Sequence, residues 1–236
     1  MQKITLNVYR FDPDLDQEPY WKSYELPGRE GVTVLEVLFE VLEHHDGSLA
    51  FRYSCREAIC GACAMYINGS HRLACKTQVS HLGRVLWVSP LPHMRVIKDL
   101  VVDMDPFFEK YKLIKPYLLS NSKPPEKERY QSPDERRYID EMISCILCGS
   151  CYSSCPSVWT GEHYLGPAAL MWAYRFTADG RDEGDAERLN LTAQEGGLWR
   201  CHTIFNCTEA CPKNINLTHS IQQLKKKAAA RVLGGK

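Results

Sequence analysis

An α+β fold in two parts is predicted: a small sheet packed on one helix over residues 1–104, then a helical part over residues 105–236. Three observations predict it. Period-two strand patterns surround a single amphipathic helix in the first hundred residues. Apolar spacing turns helical after Asp105. The eleven cysteines divide into four before residue 100 and seven after residue 140.

Ile4, Leu6 and Val8 alternate with polar residues, as on a half-buried strand, and Tyr20 to Leu26 can return antiparallel to it. Thr33 and Glu36 have capping-box spacing, and Leu35, Leu38, Phe39 and Leu42 then recur at helical intervals. A strand over 64–67 meets the turn Asn68-Gly69, and 84–88 reads as another. Beyond Asp105, Phe107, Phe108, Tyr111 and Ile114 predict a helix ending near Pro116. Residues 120–133 (SNSKPPEKERYQSP) are polar and proline-rich, a linker or an exposed loop. Helices are then expected over 134–142, 167–179 and 218–232, the last carrying Lys225, Lys226 and Lys227 on a solvated face.

Composition bounds the function. The chain has 236 residues, 44% hydrophobic and 25% charged, with 29 basic and 29 acidic residues. A net charge of zero argues against nucleic acid or an anionic membrane as the main partner. The longest short apolar run, Ala168 to Ala173, is far too brief to span a bilayer. The opening MQKITLNVYRF has neither a signal-peptide apolar region nor the Arg-rich character of a transit peptide. There is no GxGxxG and no P-loop. An odd number of cysteines cannot all close into intramolecular disulfides, and in a reducing compartment spaced cysteines bind metal or do catalysis.

The cysteines form three groups. SCREAICGACAM, with Cys75 beyond it, spaces Cys55, Cys60 and Cys63 as C-x4-C-x2-C, the plant-type [2Fe–2S] loop. Gly61 lets the chain pass close to the cluster without a Cβ. The competing reading, zinc, favours paired C-x2-C units, and this group has one. CILCGSCYSSCP (145–156) is the bacterial run C-x2-C-x2-C-x3-C-P, whose fourth cysteine ligates the other cluster. That demands a partner run, found at CHTIFNCTEACP (201–212), where Ile204 stands in place of the middle cysteine. Cys145, Cys148 and Cys151 then take Cys211 for a [4Fe–4S] cluster. Cys155, Cys201 and Cys207 remain, with apolar Ile204 at the fourth place, and suit [3Fe–4S]. Four, four and three use all eleven cysteines. Three clusters imply electron transfer. Of the eight histidines, His202 alone adjoins a cysteine of the groups and is a candidate for a role beside the cluster.

With these groups in this order the chain resembles the iron–sulfur subunit of the succinate dehydrogenase and fumarate reductase family. The likeness runs nearly the full length, through PLPHMRVIKDLVVDM, IKPYLL, CILCGSCYSSCPSVW, LGPAALMWAYRF and CHTIFNCTEACPK. It implies a β-grasp [2Fe–2S] ferredoxin domain followed by an α-helical ferredoxin domain. It also implies succinate:quinone oxidoreductase activity, linking the tricarboxylic acid cycle to respiration. Electrons pass from the FAD of a flavoprotein subunit through [2Fe–2S], [4Fe–4S] and [3Fe–4S] to a quinone beside membrane-anchor subunits; in part of the family the anchor carries haem b. Cofactors supply this chemistry while protein fixes position and potential.

The resemblance places quinone-site candidates at Pro156, Ser157, Trp159, Thr160, His202 and Ile204. Family members that use ubiquinone commonly carry two adjacent tryptophans, whereas Trp159 is followed here by Thr160. An interface aromatic is the competing role for Trp159. The lack of a transit sequence points to a bacterial origin and the cytoplasmic face of the inner membrane; a processed mitochondrial chain would sit on the matrix face. The same subunit working in a fumarate reductase and, more remotely, a zinc-binding interaction module are the alternatives.

Overall fold

In the computed structural model, which describes residues 3–234, Ile4, Leu6 and Val8 point inward from strand β1 (Lys3–Arg10) and are almost wholly buried. β2 (Tyr20–Pro27) pairs antiparallel with β1, setting Leu6 opposite Tyr24. Helix α1 (Val34–His44) starts at the expected capping box, in which Thr33 and Glu36 satisfy each other's backbone N–H groups. β3 (Ala64–Ile67) and β4 (Ser70–Leu73) form a hairpin through Asn68 and Gly69, both at positive φ, as a type I′ turn requires. β5 (Val85–Ser89) begins one residue later than expected and runs parallel to β1. The sheet order is β2-β1-β5-β3-β4, with a separate pair, β6 (Val96–Lys98) and β7 (Val101–Val102), that the sequence pattern did not predict. Leu35, Leu38 and Val41 of α1 pack on the sheet residues Leu6, Ile67, Leu86 and Val88, which is the β-grasp arrangement.

The chain divides into two units. The first takes the residues up to Met104 together with Ile146–Ser154; the second takes Asp105–Cys145 and the residues from Cys155 on. Ile146–Ser154 lies inside the range expected of the second domain. It joins the first unit through Ser153, whose hydroxyl donates to the Pro92 carbonyl (2.7 Å) and lies 3.1 Å from His71 Nε2. A buried ion-pair network, invisible to pattern reading, braces the first unit: Arg10 binds Asp99 (2.9 Å) and Asp46 (2.6 Å). Asp99 also accepts the N–H groups of Phe11 and Ala50, which ties β1 to the segment entering the first cysteine loop.

The second unit holds α2 (Asp105–Leu113), α3 (Pro133–Ile143), α4 (Gly166–Thr177), α5 (Asp185–Thr192) and α6 (Leu217–Leu233). α3 has its own capping box, Ser132 with Glu135; α5 was not expected. Leu170 and Ala173 of α4 pack with Ile221 and Leu224 of α6. Residues 120–133 are an exposed loop tied down by Glu183, which accepts the N–H groups of Asn121 (2.7 Å) and Ser122 (3.0 Å). The solvated face expected for the lysines of α6 holds only for Lys226. Lys225 donates to the Cys201 carbonyl (2.7 Å) and Lys227 to that of Thr177, so both lie half-buried. Among the described residues no helix is long and apolar enough to cross a membrane.

Candidate iron–sulfur sites

The loop between Cys55 and Cys63 is shaped by three residues at positive φ, Arg56, Ala58 and Gly61. These reversals turn consecutive N–H groups toward sulfur. Glu57, Ile59 and Cys60 donate to Cys55 Sγ at 3.4, 3.3 and 3.2 Å, and Ala58 donates to Cys75 Sγ at 3.3 Å. Donors aimed at a sulfur favour its thiolate. The N–H groups of Glu57, Cys60 and Ile59 accordingly bring the Cys55 thiol down to about 7. Cys63 is buried, and burial pushes its thiol up to about 12. Bound iron would offset that cost with its own positive charge. Three thiols on a donor-lined loop, with Cys75 drawn to the same loop by the Ala58 N–H, fit a [2Fe–2S] cluster. The Arg56 guanidinium lies over the rings of Phe39 (4.9 Å) and Tyr53 (5.4 Å), pinning the loop to α1.

Gly61 has a sharper role than expected. A Cβ there would fall 2.8 Å from both the Ile146 carbonyl and Cys148 Cβ. Its missing side chain makes room for the segment that carries Cys148 and Cys151.

The two later runs share one backbone design. In the first, Leu147 (φ 51°) and Gly149 (φ 83°) flank Cys148; in the second, Thr203 (59°) and Phe205 (71°) flank Ile204. Each run then enters a one-turn helix, Ser150–Ser153 or Asn206–Glu209, and ends in Cys-Pro. Ile204 therefore holds the backbone place of a ligand without its sulfur. Of the four cysteines expected of [4Fe–4S], Cys148 and Cys151 belong to the first unit, and Cys145 and Cys211 to the second. Cys211 Sγ accepts the Ile215 N–H at 3.4 Å.

Cys155, Cys201 and Cys207 line one small cavity of the second unit, together with Pro156, Ser157, His202 and Ile204. Burial raises the thiols of Cys155 and Cys207. Val158 and Ser157 oppose this at Cys155 with backbone N–H groups, and Ser157 also with its hydroxyl; Thr218 opposes it at Cys207. Three sulfurs facing one cavity, with an apolar Ile204 beside them, fit a cluster lacking a fourth cysteine. Tyr164 and Thr218 also line the cavity. Neither belongs to a cysteine motif, and only the fold brings them there.

The quinone-site candidates separate. Ser157 is buried with its hydroxyl toward Cys155, whereas His202 and Ile204 are exposed. Trp159 is 41% exposed and does not line the cavity. Thr160 closes its own turn by donating to the Pro156 carbonyl (3.0 Å), and its carbonyl accepts from Arg200 (2.8 Å).

Comparison with known proteins agrees with this geometry. Residues 5–109 match the family model of a 2Fe-2S iron-sulfur cluster binding domain, and residues 137–212 that of a 4Fe-4S dicluster domain. A chain of Oryza sativa subsp. japonica named succinate dehydrogenase (ubiquinone) iron-sulfur subunit 1, mitochondrial, is 48% identical, over 94% of this chain and 81% of its own length. The succinate dehydrogenase iron-sulfur subunit of Coxiella burnetii (strain RSA 493 / Nine Mile phase I) is 42% identical, over 94% of this chain and 95% of its own. Among solved structures, a chain of the Mycobacterium smegmatis Sdh1 complex in the apo form matches with a TM-score of 0.85 and 28% identity, covering 97% of this chain and 96% of that one. Donor-lined cysteine loops, two runs of matching backbone and full-length likeness converge: the chain is an electron-transfer protein and belongs to the family of succinate dehydrogenase iron–sulfur subunits.

Proposed function

We propose that the chain carries electrons from succinate oxidation on an FAD-containing flavoprotein subunit to a membrane quinone held with anchor subunits. The clusters, when bound, supply one-electron steps between two-electron partners. Cys55, Cys60, Cys63 and Cys75 hold [2Fe–2S]. Cys145, Cys148, Cys151 and Cys211 hold [4Fe–4S], and Cys155, Cys201 and Cys207 hold [3Fe–4S]. The observation that carries the last assignment is the shared backbone of the two runs, with Ile204 in the place of Cys148. The reading keeps the ferredoxin domains at residues 1–104 and 105–236; the division of the chain into two compact units supports that boundary, apart from Ile146–Ser154, which falls with the first unit.

The protein's own groups divide the work. N–H groups of the first loop stabilise negative charge on Cys55 and Cys75. Cys207 is buried and Cys155 half-buried, which limits the access of water to these two sulfurs. His202 and Ile204 offer a polar tip beside an apolar wall at the mouth of the same cavity, as a quinone head group requires. Trp159, exposed at the end of the short helix Pro156–Trp159 that follows Cys155, is the candidate for contact with the anchor. The relatives are named for succinate dehydrogenase, which supports succinate oxidation over fumarate reduction as the working direction. Such a chain sits peripherally on the cytoplasmic face of a bacterial inner membrane.

The test is to purify the chain with its native partners, identify the bound quinone, and compare quinone reduction with reduction of a soluble acceptor drawing from the flavin. Trp159→Ala should impair the first and spare the second. Parallel loss of both would make Trp159 a packing residue and remove it from the quinone surface.

A further inference from the structure

The cavity bounded by Cys155, Cys201 and Cys207 contains two buried hydroxyl groups that the cysteine motifs do not account for. Tyr164 is held ahead of α4 by its N–H bond to the Gly161 carbonyl (3.0 Å) and is 1% exposed. Its side chain lines the cavity beside Cys155, Cys201 and Cys207, and burial, with the charge of those three sulfurs and the acceptor character of Cys201, holds its hydroxyl protonated, well above the usual phenol range. Thr218, in the first turn of α6, is 3% exposed, and its Oγ1 lies 3.7 Å from Cys207 Sγ and 3.0 Å from Thr208 Oγ1.

The donors on this second path can be ordered. Thr208 Oγ1 already accepts the Thr218 backbone N–H at 3.2 Å. An iron-bound thiolate has no proton and only accepts. Two orders place every proton: Thr208 O–H to Thr218 Oγ1 with Thr218 O–H to Cys207, or Thr218 O–H to Thr208 Oγ1 with the Thr208 hydroxyl, which also neighbours the sulfur, donating to Cys207. Thr218 favours the Cys207 thiolate more strongly than Thr208 does, and Thr208 Oγ1 already accepts one N–H, which supports the first order.

We propose that Tyr164 and Thr218 are side-chain hydrogen-bond donors to the three-iron cluster and hold its reduction potential up. The proposal rests on assigning Cys155, Cys201 and Cys207 to that cluster. Reduction adds negative charge to the sulfurs, and a donor stabilises the more negative form more strongly. Burial works the other way, since a cavity with little water disfavours added charge. Two fixed hydroxyl dipoles offset that penalty and make the last site of the relay a better electron acceptor. Both residues act through the ligating sulfurs and are positioning residues.

The test is a potentiometric EPR titration of the three-iron signal in the complex with its native partners, for the wild type, Tyr164→Phe, Thr218→Val and the double variant. Each single variant should shift the midpoint downward, the double variant further, and Thr218→Ser should restore the wild-type value. The [2Fe–2S] midpoint should not move. A signal of full intensity at an unshifted midpoint overturns the role of the residue replaced. If Tyr164→Phe abolishes the cluster, 3-fluorotyrosine at position 164, a stronger donor of nearly the same shape, decides: it should shift the midpoint upward, and an unshifted midpoint overturns the role of Tyr164. If Thr218→Val abolishes it, Thr218→Ala replaces it with the same downward shift expected. A wild-type complex with no three-iron signal refutes the cysteine assignment instead.

Discussion

Ile204 occupies in the second cysteine run the backbone place that Cys148 occupies in the first, each between two residues in the left-handed region. A thiol at position 204 would therefore leave the chain where a fourth ligand leaves it. Ile204→Cys should convert the three-iron cluster toward a four-iron one. The check is the EPR signal of the oxidised complex, which should lose its three-iron component. An unchanged signal would count against the equivalence of the two positions.

Gly61 is the tightest point of the first loop. Gly61→Ala places a side chain at φ 76°, at a cost of about 1–2 kcal/mol for the conformation alone. Its Cβ would also meet the Ile146 carbonyl and Cys148. Lower thermal stability should accompany partial loss of the reduced [2Fe–2S] signal, measured by spin quantitation. Full occupancy at wild-type stability would show that the segment at 146–148 moves aside freely.

Arg188 is wholly buried in the second unit. It pairs with Asp182 (2.5 Å) and donates to the carbonyls of Ile114 (3.1 Å), Lys115 (3.0 Å) and Tyr117 (2.6 Å). Replacing it with Leu leaves a buried carboxylate and three carbonyls short of a donor, so the expected loss is about 3–5 kcal/mol. Denaturant unfolding measures it. A loss below about 1 kcal/mol would mean that water takes over these groups.

His71 gives the first unit a pH dependence between its folded and unfolded values, above the range in which the paired carboxylates titrate. Burial, and secondarily the charge of His93, lower its folded value from 6.5 to about 4. Ser153 gives its proton to the Pro92 carbonyl and so accepts from a neutral Nε2–H of His71. The unfolded chain binds this proton near pH 6.5, the folded chain only near pH 4. Stability from this site is thus complete above pH 6.5 and lost as pH falls toward 4. His71→Gln, which keeps an N–H donor, should flatten the dependence of the thermal midpoint over that window. Equal slopes in both proteins would contradict the assignment.

What the sequence made legible was local or counted. The Thr33–Glu36 box, the Asn68-Gly69 turn and the cysteine spacings each depend on residues a few positions apart, where propensity and geometry act directly. Helix α5 escaped because Asp185–Thr192 carries a weak apolar stripe, and its largest buried member is the arginine at 188. The placement of Ile146–Ser154 depends on contacts with Pro92 and His71, far away in the chain. Tyr164 and Thr218 escaped for the same reason, since each reads in sequence as an ordinary residue at the start of a helix. Cysteine chemistry can be read from spacing, whereas its hydroxyl and backbone donors come only with the fold.

The most direct test of the electron-relay reading is EPR of the complex purified with its partners, recorded before and after adding succinate. Before addition, the oxidised three-iron cluster should give the main signal. Succinate should abolish that signal and bring up the reduced [2Fe–2S] signal, because electrons enter at the first loop and collect at the last. A complex that shows no three-iron signal, or whose [2Fe–2S] cluster stays oxidised with succinate while dithionite reduces it, would contradict the account.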